Sequence, residues 1–130
     1  MEEWTFKTYR QGARNAIEDW LEGLSPTARA AIRTRISYLE ARPPTEWRRP
    51  QFDKLTGHIH EIRVKDTVEK ISYRLLGCFG PGAMVFTLLI GAKEKDKKLE
   101  PGTLETANER YQAVSKYGQE CLDDYCKPNE

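Results

Sequence analysis

The chain has 130 residues, 21 Lys+Arg against 20 Asp+Glu, and a mean hydropathy of −0.73, which fits one domain built on one core. No apolar run approaches the ~20 residues of a membrane span, and Met1-Glu2-Glu3-Trp4 lacks the basic and apolar regions of a secretory signal. Cys78, Cys121 and Cys126 are an odd set, too few for a disulfide framework and suited to a reducing compartment, so a cytoplasmic protein is expected.

Trp4 to Tyr9 alternates large apolar with polar residues, the period of a half-buried strand. Asn15 is placed to cap a short helix through Trp20 and Leu21, stopped at Gly23. Ser25-Pro26 is a second start signal, an N-cap serine followed by a proline whose missing N–H costs nothing in the first turn. Ala28, Ile32, Ile36 and Leu39 then fall at helical spacing, with Arg29, Arg33 and Glu40 opposite, until Pro43-Pro44 ends the helix. Residues 43–57 read as an irregular connection.

Three strands are expected next. His58 to Lys65 sets His60, Ile62 and Val64 against Ile59, Glu61 and Arg63; Glu69 to Leu76 sets Ile71, Tyr73 and Leu75 against Ser72, Arg74 and Leu76. Ala83 to Ile90 is apolar enough for a central strand, and the turns between these runs are short enough for an antiparallel meander. After Gly91 the lysine-rich stretch 92–98 reads as a turn, and a last helix is expected from Thr103, with Leu104, Ala107, Tyr111 and Val114 on one stripe up to Gly118. The order β-α-α-β-β-β-α belongs to the α+β class. Trp4, Trp20 and Tyr38 are expected in the core because each lies in an amphipathic element; Trp47, in a loop beside two arginines, is left open.

The near-neutral total hides an asymmetry. Residues 42–98 hold twelve Lys/Arg against seven Asp/Glu, a surplus of five, which can create a local positive field. His58-Ile59-His60 would point two imidazoles the same way on a strand, but no further ligand stands near, so no metal and no cofactor is expected. No phosphate-binding loop, dinucleotide fingerprint or nucleophile elbow is present. Glu61 and Arg63 share one strand face, Ser72 and Arg74 another, and neighbouring strands would merge them into one polar patch. Arg48, Arg49, Lys93 and Lys95 would border it, a surface suited to a phosphate backbone.

The stretches Phe52-Asp53-Lys54-Leu55-Thr56-Gly57, His60-Glu61-Ile62-Arg63-Val64 and Tyr73-Arg74-Leu75-Leu76, followed by Leu88-Leu89-Ile90-Gly91-Ala92-Lys93-Glu94-Lys95 and Ala107, resemble the RelE/ParE toxin superfamily. The nearest branch is the HigB-like, phage-derived Gp49-like proteins. The resemblance spans roughly residues 4–114 and implies a toxin domain over 1–114 followed by an acidic extension over 115–130. It implies a RelE-like fold, with two N-terminal helices on one face of a small antiparallel or mixed twisted sheet and a C-terminal helix.

It further implies the toxin of a type II toxin–antitoxin pair that cuts messenger RNA on the translating ribosome without a metal. The partners would be the ribosome, the message and a cognate antitoxin, commonly of helix-turn-helix type. Carried over, Arg63 and Arg74 would hold phosphate and transition-state charge. Lys93 or Lys95 would be base or acid, Glu61 an alternative base, and His58 and His60 possible participants. Arg48, Arg49, Lys54, Lys97 and Lys98 would contact RNA. Two departures stand out: Ile90-Gly91-Ala92 replaces the family's His-Gly-Phe, and Glu94 splits the adjacent lysines. The split lysine pair and the acidic extension favour an alternative, a catalytically decayed binding module on the same fold; gyrase inhibition of ParE type is the third reading. The extension, with Lys116 and Lys127 against Glu120, Asp123, Asp124 and Glu130, is expected to fray or pack on the surface rather than cover the RNA face.

Overall fold

The computed structural model describes residues 4–125. Its elements are β1 (Thr5–Gln11), β2 (Arg14–Asn15), α1 (Ala16–Glu22), α2 (Pro26–Glu40), β3 (Phe52–Thr56), β4 (Ile59–Asp66), β5 (Ile71–Phe79), β6 (Val85–Lys95), β7 (Lys98–Leu99), α3 (Thr103–Tyr117) and β8 (Leu122–Asp124). This is an α+β fold on a mixed twisted sheet of order β2-β1-β6-β5-β4-β3, with β7 on β6 and β8 on β1. The meander β4-β5-β6 is antiparallel, and β1 joins β6 in parallel.

Local chemistry sets the helices as the sequence signals say. The Asn15 side chain accepts from the Ile17 and Glu18 amides, and Ser25 accepts from Ala28 with Pro26 in the first turn. On α2, Ala28, Ile32, Ile36 and Leu39 are all fully buried. They pack with Ile17 and Leu21 of α1 on Phe6, Ile62, Val64, Tyr73, Leu75, Phe86 and Leu88, the main core. A second cluster lies on the opposite face, where Ala107 and Val114 of α3 meet Ile59, Leu76, Cys78 and Leu89. That face is thus half covered by α3, and only the remainder is polar.

Several expectations need correction. Part of the 43–57 connection is the strand β3, pairing Phe52 with Ile62 and Asp53 with Glu61. The lysine-rich stretch is no simple turn: β6 runs on to Lys95, and Asp96 and Lys97, at φ 52° and 64°, reverse the chain into β7. Trp47 is a core residue, 5% exposed, its Nε1 donating to the Leu39 carbonyl at 2.9 Å. Tyr38, by contrast, lies 38% exposed on the outer side of α2.

Within the extension, Leu122, Asp123 and Asp124 pair with Tyr9, Thr8 and Lys7 along the edge of β1, and Tyr125 is buried. Lys7 ion-pairs Asp124, and Arg33 donates to the Tyr125 hydroxyl at 3.0 Å. Described up to Tyr125, the extension packs on the sheet. Cys126 lies outside the described residues; Cys78 and Cys121 are free, and burial pushes the Cys78 thiol up to about 12. Among the described residues no helix is long and apolar enough to cross a membrane.

Gly77 shows how tightly the sheet centre closes. A Cβ there would stand 2.5 Å from both the Thr87 carbonyl and the Phe86 ring. The carbonyl belongs to the neighbouring strand and cannot swing aside. Gly77→Ala is therefore expected to lower the unfolding free energy by about 2–3 kcal/mol in urea denaturation, an overpacking cost. An unchanged midpoint would mean that the two strands separate freely at this point.

Candidate functional site

The polar half of the α3 face is built by strand alternation. Glu61 and Arg63 point to it from β4, Ser72 and Arg74 from β5, and Ala92 and Glu94 from β6. The register sets Arg63 opposite Arg74, Arg74 opposite Ala92, and Ser72 opposite Lys65. The small Ala92 beside Arg74 leaves room for the guanidinium to lie along the sheet. Glu61 is 2% exposed and receives Arg63 Nε and Nη2 at 3.1 and 2.8 Å on one oxygen, and Arg74 Nη1 at 3.0 Å on the other. One buried carboxylate thus orients two guanidiniums. The Glu61 bond raises the Arg63 pKa further above its ordinary value.

Arg74 is engaged at each of its nitrogens. Besides Glu61, Nη2 donates to the Lys97 carbonyl at 3.2 Å, and Nε lies 3.2 Å from Glu94 Oε2. The last contact is ionic rather than a hydrogen bond, since Nε has no aligned acceptor among the described residues. The side chains of Arg74 and Glu94 are 12% and 16% exposed, whereas Arg63, at 47%, opens to solvent. An open cleft of about 330 Å³ runs from Glu94 past Arg63 and Ser72 to Lys65 and, on α2, Arg35.

The structure brings together Glu61, Arg63 and Arg74 but not the lysines. Lys93 pairs with Tyr73, whose side chain belongs to the opposite face, and Lys95 repeats that orientation two residues on. Glu94, the interruption between them, is the side chain that enters the site. Strand alternation carried past Gly91 would have exposed this; reading 92–98 as a turn hid it. Arg49 ion-pairs Asp53 at 2.8 Å and shares a smaller cleft with Arg63. Arg48 is exposed near the Thr45 carbonyl. Lys54 is exposed and pairs with His60, on the face away from Glu61. Lys97 gives its backbone carbonyl to Arg74, and Lys98 sits opposite Lys95 in β7.

The two histidines do not share a face. His58 precedes β4 and stacks on Tyr111 of α3 at 4.9 Å, while His60 stacks on Phe52 at 5.4 Å in the other layer, edge-on to Phe79. Among the described residues no group of three or more His, Cys, Asp or Glu gathers as a metal site. Burial, with the Lys54 charge adding to it, lowers the His60 pKa below its ordinary value. The folded state therefore binds fewer protons here than the unfolded chain. The contribution is intact above pH about 6.5 and is lost as pH falls through the lower folded value. His60→Phe is expected to flatten the decline of thermal stability between pH 7 and 5; an unchanged slope would assign that decline to other groups.

Two comparisons bear on this geometry. Residues 19–112 match the model of a family described as phage derived protein Gp49-like (DUF891). No curated protein matches the chain.

Proposed function

Since the chain belongs to the phage-derived Gp49-like family, a RelE/toxin-like family, we propose that it is the toxin of a type II toxin–antitoxin pair of HigB-like kind, cytoplasmic and ribosome-dependent, that cleaves messenger RNA. The observation that supports this most is that one buried carboxylate, Glu61, holds two guanidiniums on the part of the sheet face that α3 leaves uncovered. Attack of a ribose 2′-hydroxyl on the adjacent phosphate places extra negative charge on a five-coordinate phosphorus. Fixed guanidiniums stabilise that charge without having to reorganise.

In this reading the roles divide by exposure. Arg63, half exposed, meets the incoming phosphate first. Arg74 completes the clamp once the phosphate displaces Glu94 from it. Glu61, with both oxygens taken by guanidiniums, acts as a positioning residue. The freed Glu94, which lines the cleft with Ser72, takes the 2′-proton as general base; the phosphorus–5′-oxygen bond breaks, leaving a 2′,3′-cyclic phosphate, and the departing 5′-oxygen takes its proton from water. Residues 1–114 form the toxin domain, and the antitoxin is a helix-turn-helix protein encoded beside it.

The test is 5′-end mapping of a defined transcript in a reconstituted translation reaction. Arg74→Lys is the variant of choice, because it keeps a cation beside Glu61 but loses the planar fork. Wild-type protein is expected to create new ends only while ribosomes engage the message, and Arg74→Lys to create at least 100-fold fewer. An intact transcript, with protein shown to be folded, would overturn the nuclease reading. A second reading, a binding module without activity, is favoured by one observation: Glu94 already neutralises Arg74 in the free chain.

A further inference from the structure

β3 covers only part of β4. Its pairing ends at Phe52 opposite Ile62, and beyond the bond from the Arg63 amide to the Gln51 carbonyl at 2.8 Å, Val64 and Lys65 form an open strand edge. Two clefts meet over that edge. The first is the one already described beside Arg63, Ser72 and Glu94; the second, also about 330 Å³, lies between the same edge and α2, walled by Ala31, Thr34 and Tyr38. Arg35, Val64 and Lys65 line both.

Arg35 stands at this junction with an unmet need. Its Nε is buried and has no hydrogen-bond partner among the described residues, and its guanidinium carbon lies 5.7 Å from the Tyr38 ring centroid. A buried donor left unpaired costs free energy that an acceptor supplied by a ligand would recover. Arg42 stacks on Tyr38 at 3.6 Å and pins the ring as a flat wall. The edge thus offers cations from two elements, a free donor, and a flat apolar slot on α2. Phosphate with its adjoining base has this combination of needs; an acidic side chain would satisfy the cations but leave the slot empty.

From this juxtaposition we infer that the β4 edge is a second nucleotide subsite, in which Arg35 and Lys65 hold the phosphate next to the one at Arg63 and the following base lies against Ala31 and Tyr38. The inference rests on the nucleic-acid reading of the Arg63–Arg74 site and adds the path of the strand: over the edge of β4 and onto α2. It requires no cleavage.

The experiment titrates the purified chain with a four-residue oligouridylate and follows the arginine Nε–Hε resonances by NMR, with affinity from anisotropy of a labelled copy at several salt concentrations. The Arg35 resonance is expected to shift in wild-type protein and also in Arg74→Lys, where cleavage is lost but the edge is intact. Arg35→Gln/Lys65→Gln is expected to bind at least 10-fold more weakly. Its salt slope should be shallower by about 0.7, since single strands release about 0.7 counterion per phosphate neutralised and the two cations share one phosphate. Lys65 is exposed and Arg35 half-buried, and an unchanged thermal melt confirms the fold of the double variant. An unmoved Arg35 resonance, or an unchanged slope in the double variant, would overturn the subsite. Equal competition by oligoglutamate of matched charge would overturn the nucleotide assignment and make the edge a site for acidic peptide. Failure of the translation assay with a shifted Arg35 would remove the nuclease reading and leave the subsite standing.

Discussion

Glu61→Gln is expected to destabilise the protein by about 2–3 kcal/mol and to abolish the paired geometry of the two arginines. Glutamine has nearly the same volume, so no cavity opens; the charge is lost, and one acceptor oxygen becomes an NH2 donor facing a guanidinium. What is lost are three charge-assisted hydrogen bonds at 2.8–3.1 Å in a place where Glu61 is 2% exposed. Bonds of this kind contribute about 1.5–3 kcal/mol each when removal leaves a buried partner unmet. Arg63 escapes most of the penalty by turning to solvent, but Arg74, 12% exposed, cannot. Arg63→Gln should accordingly cost under about 1 kcal/mol, as half-exposed pairs do. Urea midpoints of the two single variants and the double variant give the coupling directly. A Glu61→Gln loss no larger than that of Arg63→Gln would mean the carboxylate does not organise this face.

The second large effect is expected at Glu94, where binding and turnover should move in opposite directions. The carboxylate lies 3.2 Å from Arg74 Nε, so any phosphate drawn to that guanidinium must first displace it. Glu94→Gln removes the competitor and one negative charge from the cleft, and oligoribonucleotide affinity should rise about 10-fold, as for the loss of one close like charge. If Glu94 is also the base, cleavage in the translation reaction should fall about 100-fold or more. Tighter binding with faster cleavage would leave Glu94 as a competitor alone. Unchanged affinity would show that Arg74 does not meet the ligand.

Most of the layer plan is written in local chemistry. Asn15 and Ser25-Pro26 start the helices where the caps say, and the period-2 faces of β4 and β5 separate Ile62 and Val64 from Glu61 and Arg63. What escaped reading lacks a local signal. β2, β7 and β8 are two or three residues long and exist only because a longer partner strand receives them. β3 hides behind Arg48-Arg49-Pro50, and in Phe52-Asp53-Lys54-Leu55-Thr56 only Phe52 is buried. The turn at Asp96-Lys97 uses left-handed residues without glycine or asparagine, so Asp96 is its only sequence punctuation and the ends of the flanking strands are unmarked. At the site, Glu61, Arg63 and Arg74 were legible because alternation gathers them whatever the neighbouring strand. Glu94 and Arg35 were not, since one depends on β6 running past Gly91 and the other on where β3 stops. Tyr38 shows the same limit: an amphipathic helix has a border as well as two faces, and spacing alone does not place a tyrosine on it.

The position of β1 has a consequence in time. Thr5 to Thr8 find their parallel partners only at Val85 to Leu88, and their other edge closes only with Leu122 to Asp124. The helices and the β4-β5 hairpin can form from neighbours as the chain grows, but the strand made first must wait through most of synthesis for its place. The segment from Thr5 to Tyr9 is therefore the part of the nascent chain longest without its strand partners, and the sheet is complete only after residue 124 has emerged. A protein of this topology matures late, because its first strand is enclosed only by strands made long after it.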